Sequence, residues 1–212
     1  MDWSDYTRFG FTLFALINPF TKIPYCVSVA AEGGSRAIMA MATTSTATMI
    51  SLLMLMHICG EAILSTLGTS LPSFQIGGGL VILLSGLAML NQSAKPATET
   101  TSKAMFDVVH YAKLGVAPLG IPMLAGAGSI AKVTAETHSD FGISDDFHIS
   151  LIIILVCVVA GVIIASSTLL MRLFGPVVFS ILSRLAGLVV VSVAVEVMWH
   201  GISAHIQTLT AT

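Results

Sequence analysis

Apolar residues run along this chain in long uncharged blocks separated by short polar stretches. Residues 37–60, 62–94, 114–131 and 147–171 contain no Asp, Glu, Lys or Arg. Each block reaches or approaches the roughly 20 apolar residues that a bilayer-crossing helix needs. The 62–94 block is too long for one span; Gly68, Ser70 and Pro72 supply a turn and a helix start, leaving a span over 72–90. Two further stretches, 8–30 and 180–206, are long enough to cross but carry isolated charges. Open sheets cannot sit in hydrocarbon, and the blocks lack the strict alternation of a membrane barrel. The pattern therefore predicts an all-α integral membrane protein with six transmembrane helices over 8–30, 36–60, 72–90, 113–134, 148–172 and 180–206.

Composition agrees with this pattern and removes other classes. The chain has 212 residues, 55% of them hydrophobic and only 9% charged, with a mean hydropathy of +0.93; soluble domains carry about 25% charge. That length holds a single membrane domain over 1–212 with little left over: one half at 8–90, a Ser-, Thr- and Lys-containing connector at 91–112, and a second half at 113–206. A net charge of −2 and scattered basic residues give no electrostatic footprint for nucleic acid. The three cysteines, Cys26, Cys59 and Cys157, sit in apolar runs and read as buried free thiols. Nothing in the first residues resembles a cleavable signal peptide. With both termini outside, Arg36, Lys95, Lys103, Lys113, Arg172 and Arg184 fall on the cytoplasmic side and Arg8 and Lys132 on the other, which satisfies the positive-inside rule.

The two halves echo one another. Ile17-Asn18-Pro19-Phe20-Thr21-Lys22-Ile23-Pro24 in helix 1 is matched by Val116-Ala117-Pro118-Leu119-Gly120-Ile121-Pro122 in helix 4, and the stretch from Gly68 to Gly78-Gly79-Leu80-Val81 by that from Gly175 to Ala186-Gly187-Leu188-Val189. Halves of three helices insert with opposite orientation, so the expected plan is two inverted three-helix repeats, as in secondary transporters. A proline inside a helix removes a hydrogen bond and crowds the preceding turn, so helices 1 and 4 are expected to break near mid-membrane. The freed backbone groups suit a zwitterion, offering donors to a carboxylate and acceptors to an ammonium. Kinking for packing alone is the competing account of the prolines. Packing also competes with a binding role at Gly77-Gly78-Gly79 and at Gly126-Ala127-Gly128-Ser129.

Taken in order, Asn18-Pro19 with Pro24, Gly68-x-x-Leu71-Pro72-x-Phe74-x-Ile76-x-Gly78-Gly79-Leu80 leading to Gly86-x-x-Met89-Leu90, Ala117-Pro118-Leu119 with Pro122, and Ser183-Arg184-Leu185-x-Gly187-Leu188 leading to Gly201-Ile202 resemble the MarC family, also called the small neutral amino acid transporter family. The resemblance covers 9–91 and 113–205. It implies a six-helix protein of the cell inner (plasma) membrane and a carrier for amino acids such as glycine or alanine. The chain departs from the family's pattern in three places: Gly126-Ala127-Gly128 stands where a Gly-Pro-Gly-type stretch is typical, Lys22 lies within the helix 1 motif, and Glu196 replaces a common amide. These departures leave room for a different substrate.

Ionisable residues at membrane depth are costly unless paired or hydrated, which makes Lys22, Arg184 and Glu196 functional candidates. Lys22 either faces a substrate carboxylate or snorkels to the interface; Arg184 and Glu196 are candidates for gating or coupling. His57 with Glu61 and Glu196 with His200 are spaced i, i+4, which suits a local hydrogen bond, proton transfer or a weak metal site. Glu136, His138 and Asp140 read as a solvated acidic face. No GxSxG, HExxH or P-loop is present, so no enzymatic chemistry and no cofactor are expected. The main expectation is a carrier of small neutral amino acids by alternating access, its substrate held by Asn18, Pro19, Thr21, Lys22, Gly78, Gly79, Pro118, Gly126, Gly128 and Ser129. A coupling ion, H+ or Na+, and a homo-oligomeric assembly remain open. The alternatives are a cation or metal transporter using His57, Glu61, Glu196 and His200, and a membrane scaffold or sensor that transports nothing.

Overall fold

A computed structural model describes residues 3–66, 68–91, 108–137 and 143–210, and all its regular elements among those residues are helical. Helix α1 (Trp3–Ile17) runs into a 3₁₀ turn (Pro19–Lys22) and then α2 (Ile23–Thr66). α3 (Leu71–Asn91) follows, then α4 (Val108–Leu114), a π-type segment (Gly115–Leu124), α5 (Ala127–Thr137), α6 (Ile143–Ala165) and α7 (Ser167–Thr210). Two of these helices are divided by a glycine in the left-handed half of backbone space: Gly34 (φ 70) splits α2 and Gly175 (φ 70) splits α7. A side chain at such a φ is strained, and glycine is not, so the chain can turn there without loss.

Among the described residues three stretches are long and apolar enough to cross a membrane: Trp3–Gly60, Asp146–Ala165 and Val177–Gln207. The shorter apolar helix Pro72–Ala88 lies between the first two in sequence. The turn expected at Gly68, Ser70 and Pro72 is present. Gly68 has φ 67, and the Ser73 N–H donates to Ser70 Oγ at 3.4 Å, so Ser70 caps the start of α3.

Several boundaries differ from expectation. The first helix begins at Trp3, not 8, and its expected break follows Ile17. The second runs to Thr66, past 60. The fourth starts at Val108 instead of 113, and the break expected at its proline pair is present as the π-type segment. The fifth ends at Ala165, and the stretch to Gly175 belongs to α7. In each case apolar run length located the helix but not its ends, which are set by glycine turns and by caps.

The main core joins α1, α2 and α6 through fully buried Phe9, Leu13, Met41, Met49, Leu53, Ile149 and Ile153, with Tyr111 of α4 and Val133 of α5 buried against them. A smaller cluster of Ile82 with Val190, Ala194 and Val197 holds α3 along α7. Glycine makes that pairing close. A Cβ on Gly86 would meet Val191 Cγ2 at 2.7 Å and the Gly187 carbonyl oxygen at 3.1 Å, and one on Gly79 would collide with Met198. Small residues let apolar helices approach this closely where no hydrophobic effect drives them together. Cys26 and Cys157 are buried and Cys59 half-buried, all as free thiols. Large apolar side chains such as Phe11, Leu84, Leu155, Val162 and Leu188 point outward, as they do in a protein whose solvent is lipid.

Candidate functional site

The proline pairs interrupt two helices, each in its own way. In the first, Asn18 adopts φ 41 and ψ 69, ending α1. Its backbone N–H still donates to the Phe14 carbonyl at 2.9 Å, and its own carbonyl accepts from Thr21 Oγ1 at 2.9 Å. Pro19 opens the 3₁₀ turn, and Pro24 falls in the first turn of α2, where the missing N–H costs nothing. In the second, the residues before the two prolines are extended: Ala117 at φ −138 and ψ 130, Ile121 at φ −129 and ψ 125. A proline disfavours the helical conformation in its predecessor, so each proline there sets its own break. The segment closes with the Ala125 N–H donating to the Gly120 carbonyl at 2.9 Å.

The two interruptions border one cavity of about 170 Å³. Leu16 and Lys22 come from the first interruption, Gly126, Gly128 and Ser129 from the second, and Ser85 from α3. Gly126, Gly128 and Ser129 lie at the start of α5, whose first N–H groups have no partner within the helix and carry the positive end of its dipole. The Ser129 and Ser85 hydroxyls donate to the Gly126 and Val81 carbonyls at 2.9 and 2.8 Å. Their oxygens are therefore left as acceptors. No carboxylate among the described residues lies within ion-pair distance of Lys22. One wall thus offers a cation and backbone donors, and the serines offer acceptors.

Of the ten residues expected to bind substrate, Lys22, Gly126, Gly128 and Ser129 line this cavity. Asn18 and Pro19 are buried beside it in sequence and shape the turn, and Thr21, which does not line the cavity, donates its hydroxyl to the Asn18 carbonyl. Pro118 lies within the π-type segment; its side chain lies outside the described residues. Gly78 and Gly79 do not line the cavity. A Cβ on Gly78 would sit 2.6 Å from Ala131 Cβ, and Gly79 abuts Met198, so both serve helix contact. Ser85 went unnoticed in the sequence, although it lies on the same face of α3 as the cavity-lining Ile82, one turn along.

A larger cavity, about 400 Å³, collects charges from three helices: Asp5 and Arg8 of α1, Lys132 and Glu136 of α5, Glu196 and His200 of α7. Arg8 pairs with Glu196 at 2.9 Å, and His200 Nε2 stands 4.0 Å from the same carboxylate. Glu136 differs from the expectation of a solvated acidic face. It lies on α5 with its side chain only 15% exposed, paired with Lys132, and is not part of a solvated face; one helical turn separates the two, which the i, i+4 spacing permits. His138 and Asp140 lie outside the described residues. Arg184 is exposed and borders neither cavity.

His57 is buried, with Nε2 3.3 Å from the Asp146 carbonyl oxygen. The Glu61 side chain lies outside the described residues. Among the described residues no three His, Cys, Asp or Glu gather as a metal site, so His57 is not grouped with Glu196 and His200.

Long apolar helices and an outward surface of large apolar side chains define an integral membrane protein. The chain belongs to the MarC family of integral membrane proteins, whose family model matches residues 3–206. It is similar to a UPF0056 membrane protein of Buchnera aphidicola, with 25% identity over 96% of this chain and 94% of the relative. A UPF0056 membrane protein of Methanocaldococcus jannaschii is 27% identical over 90% of this chain and 92% of its own. The UPF0056 inner membrane protein MarC of Escherichia coli K12 is 28% identical, covering 92% and 93%. No solved structure matches the chain.

Proposed function

We propose that this protein is a secondary carrier of small neutral amino acids, non-enzymatic, resident in the cell inner membrane with both termini outside. Its helices are read as six spans in two inverted halves, with the interruptions at Asn18 and at Ala117 to Ala125 as equivalent points near the bilayer midplane. The positive φ at both Gly68 and Gly175, each ahead of the last helix of its half, supports that correspondence.

The observation that carries the reading is the cavity between the two interruptions. Its small volume, about 170 Å³, and its lining of glycine and serine suit a ligand on the scale of glycine or alanine. Lys22 and the first turn of α5 would receive the carboxylate, and the hydroxyl oxygens of Ser85 and Ser129 the ammonium. Opening and closing around this point would follow from relative motion of the halves.

In proteoliposomes, the wild type should exchange radiolabelled glycine or alanine, and Lys22→Met should reduce the flux to background while the protein still inserts and elutes as a folded species. Undiminished flux in Lys22→Met would rule out the carboxylate role. Background flux in the wild type across the small neutral amino acids would rule out the carrier.

A further inference from the structure

The two cavities lie along one seam. From Leu16 at the smaller cavity, Thr12, then Phe9 and Arg8, then Asp5 follow on the same face of α1 and border the larger one. On α5 the step is from Ser129 to Lys132 and Glu136, and on α7 from Val190 to Val193, Glu196 and His200. Each first step is three or four residues along an unbroken helix, an axial distance of about 4.5–6 Å at 1.5 Å per residue. Three helices therefore carry the lining of one cavity directly into the lining of the other.

We infer that the larger cavity is a second binding site for a zwitterionic amino acid, on the path to the smaller cavity, with Arg8 and Glu196 as its exchangeable contacts. The identity of the ligand rests on the carrier reading above. The charge balance selects the class. Asp5, Glu136 and Glu196 face Arg8 and Lys132, which leaves one negative charge with His200 neutral and none with it protonated. A lining this close to neutral, made of opposed charges, matches a molecule that is itself an opposed pair better than it matches a lone cation or anion.

The two ion pairs differ in a way that assigns their parts. Lys132 and Glu136 are 24% and 15% exposed, share one helix, and Lys132 Nζ also lies 5.9 Å from the centre of the Phe9 ring. This pair is held. Arg8 and Glu196 are 71% and 54% exposed and come from different helices. An exposed pair gains little over its hydrated partners, so a ligand can replace it: its carboxylate takes the place of Glu196 beside the guanidinium, and its ammonium the place of Arg8 beside the carboxylate.

The test uses the full chain in proteoliposomes, with Cys59→Ser to remove the half-buried thiol and Thr12→Cys as a reporter in the larger cavity. A membrane-impermeant thiol reagent is applied with and without alanine. Alanine should slow labelling at least fivefold. The protection should persist when Lys22→Met disables the smaller cavity and disappear in Arg8→Gln and in Glu196→Gln. Should Thr12→Cys fail to fold, Val193→Cys reports from the opposite wall.

Protection that vanishes with Lys22→Met, or that survives both charge substitutions, overturns the second site. Flux without any protection overturns the second site and leaves the carrier standing. Absence of flux in the wild type together with absence of protection in the Thr12→Cys reporter overturns the two together.

Discussion

The two interruptions contain the same motif, a pair of prolines four or five residues apart, yet they have come out differently. The first is compact. One left-handed residue, Asn18, takes the whole change of direction, both of its backbone groups are bonded locally, and the second proline is absorbed into the next helix. The second is open, with two extended residues and an irregular stretch from Gly115 to Ala125 before α5 begins. Proline number does not set the size of a break; what matters is whether a neighbouring residue can take the left-handed turn. Asn can, because its short polar side chain tolerates that conformation, whereas Ala117 and Ile121 have no such option and go extended. The consequence for the cavity is a division of labour: the compact break delivers a side-chain cation, Lys22, and the open one delivers backbone N–H groups and space.

That division is broken most severely by filling the space. A Cβ on Gly128 would already lie 2.6 Å from Ile82 Cγ1. Gly128→Leu should abolish amino acid flux and destabilise the protein by about 1–3 kcal/mol, the usual cost of overpacking. Gly77→Leu is the control, since nothing lies within 4 Å of a Cβ there; it should keep its flux and its melting temperature. If both variants transport equally well, the cavity is not the route.

A smaller effect should come from the second break itself. Pro122→Ala restores an N–H and removes the restriction on Ile121, so the π-type segment can wind toward regular helix. The expected result is a several-fold loss of flux with melting temperature unchanged or raised, because the break is kept for the cavity and not for stability. Pro24→Ala, in the first turn of α2, should change neither by a measurable amount. Equal effects of the two substitutions would show that the breaks do not differ as described.

How far the sequence anticipates this arrangement depends on the range of the interactions. Local chemistry was readable: the uncharged blocks marked helices, Gly68, Ser70 and Pro72 marked a turn, and the proline pairs marked both interruptions. Lys22, Gly126, Gly128 and Ser129 were found because they belong to those local motifs. Contacts between distant segments were not readable. Arg8 and Glu196 are 188 positions apart and nothing in either neighbourhood refers to the other. Gly78 and Gly79 looked like cavity residues because small side chains serve both close packing and open space; only the positions of Ala131 and Met198 decide for packing. Glu136 looked solvated because composition describes a loop's polarity and not which helix its first residues complete.

The smallest predicted effect isolates the backbone conformation on which the comparison turns. Asn18 at φ 41 sits where an ordinary L-residue loses about 1–2 kcal/mol and a β-branched one more. Ala117, also followed by proline, is extended at φ −138 and exposed, a conformation open to any residue and favourable for valine. Asn18→Val should therefore lower the melting temperature in detergent, by the equivalent of about 2 kcal/mol, and Ala117→Val should leave it within measurement error. The Asn18 side chain is buried, so part of any loss could come from packing. Asn18→Gly separates the two contributions: it removes as much side chain as can be removed and relieves the backbone. If the left-handed turn is what holds the compact break, Asn18→Gly will be more stable than Asn18→Ala by roughly 1 kcal/mol despite being the smaller residue. The reverse order, in which stability simply follows side-chain volume, would mean that packing fixes the first interruption and that the contrast between the two breaks lies elsewhere.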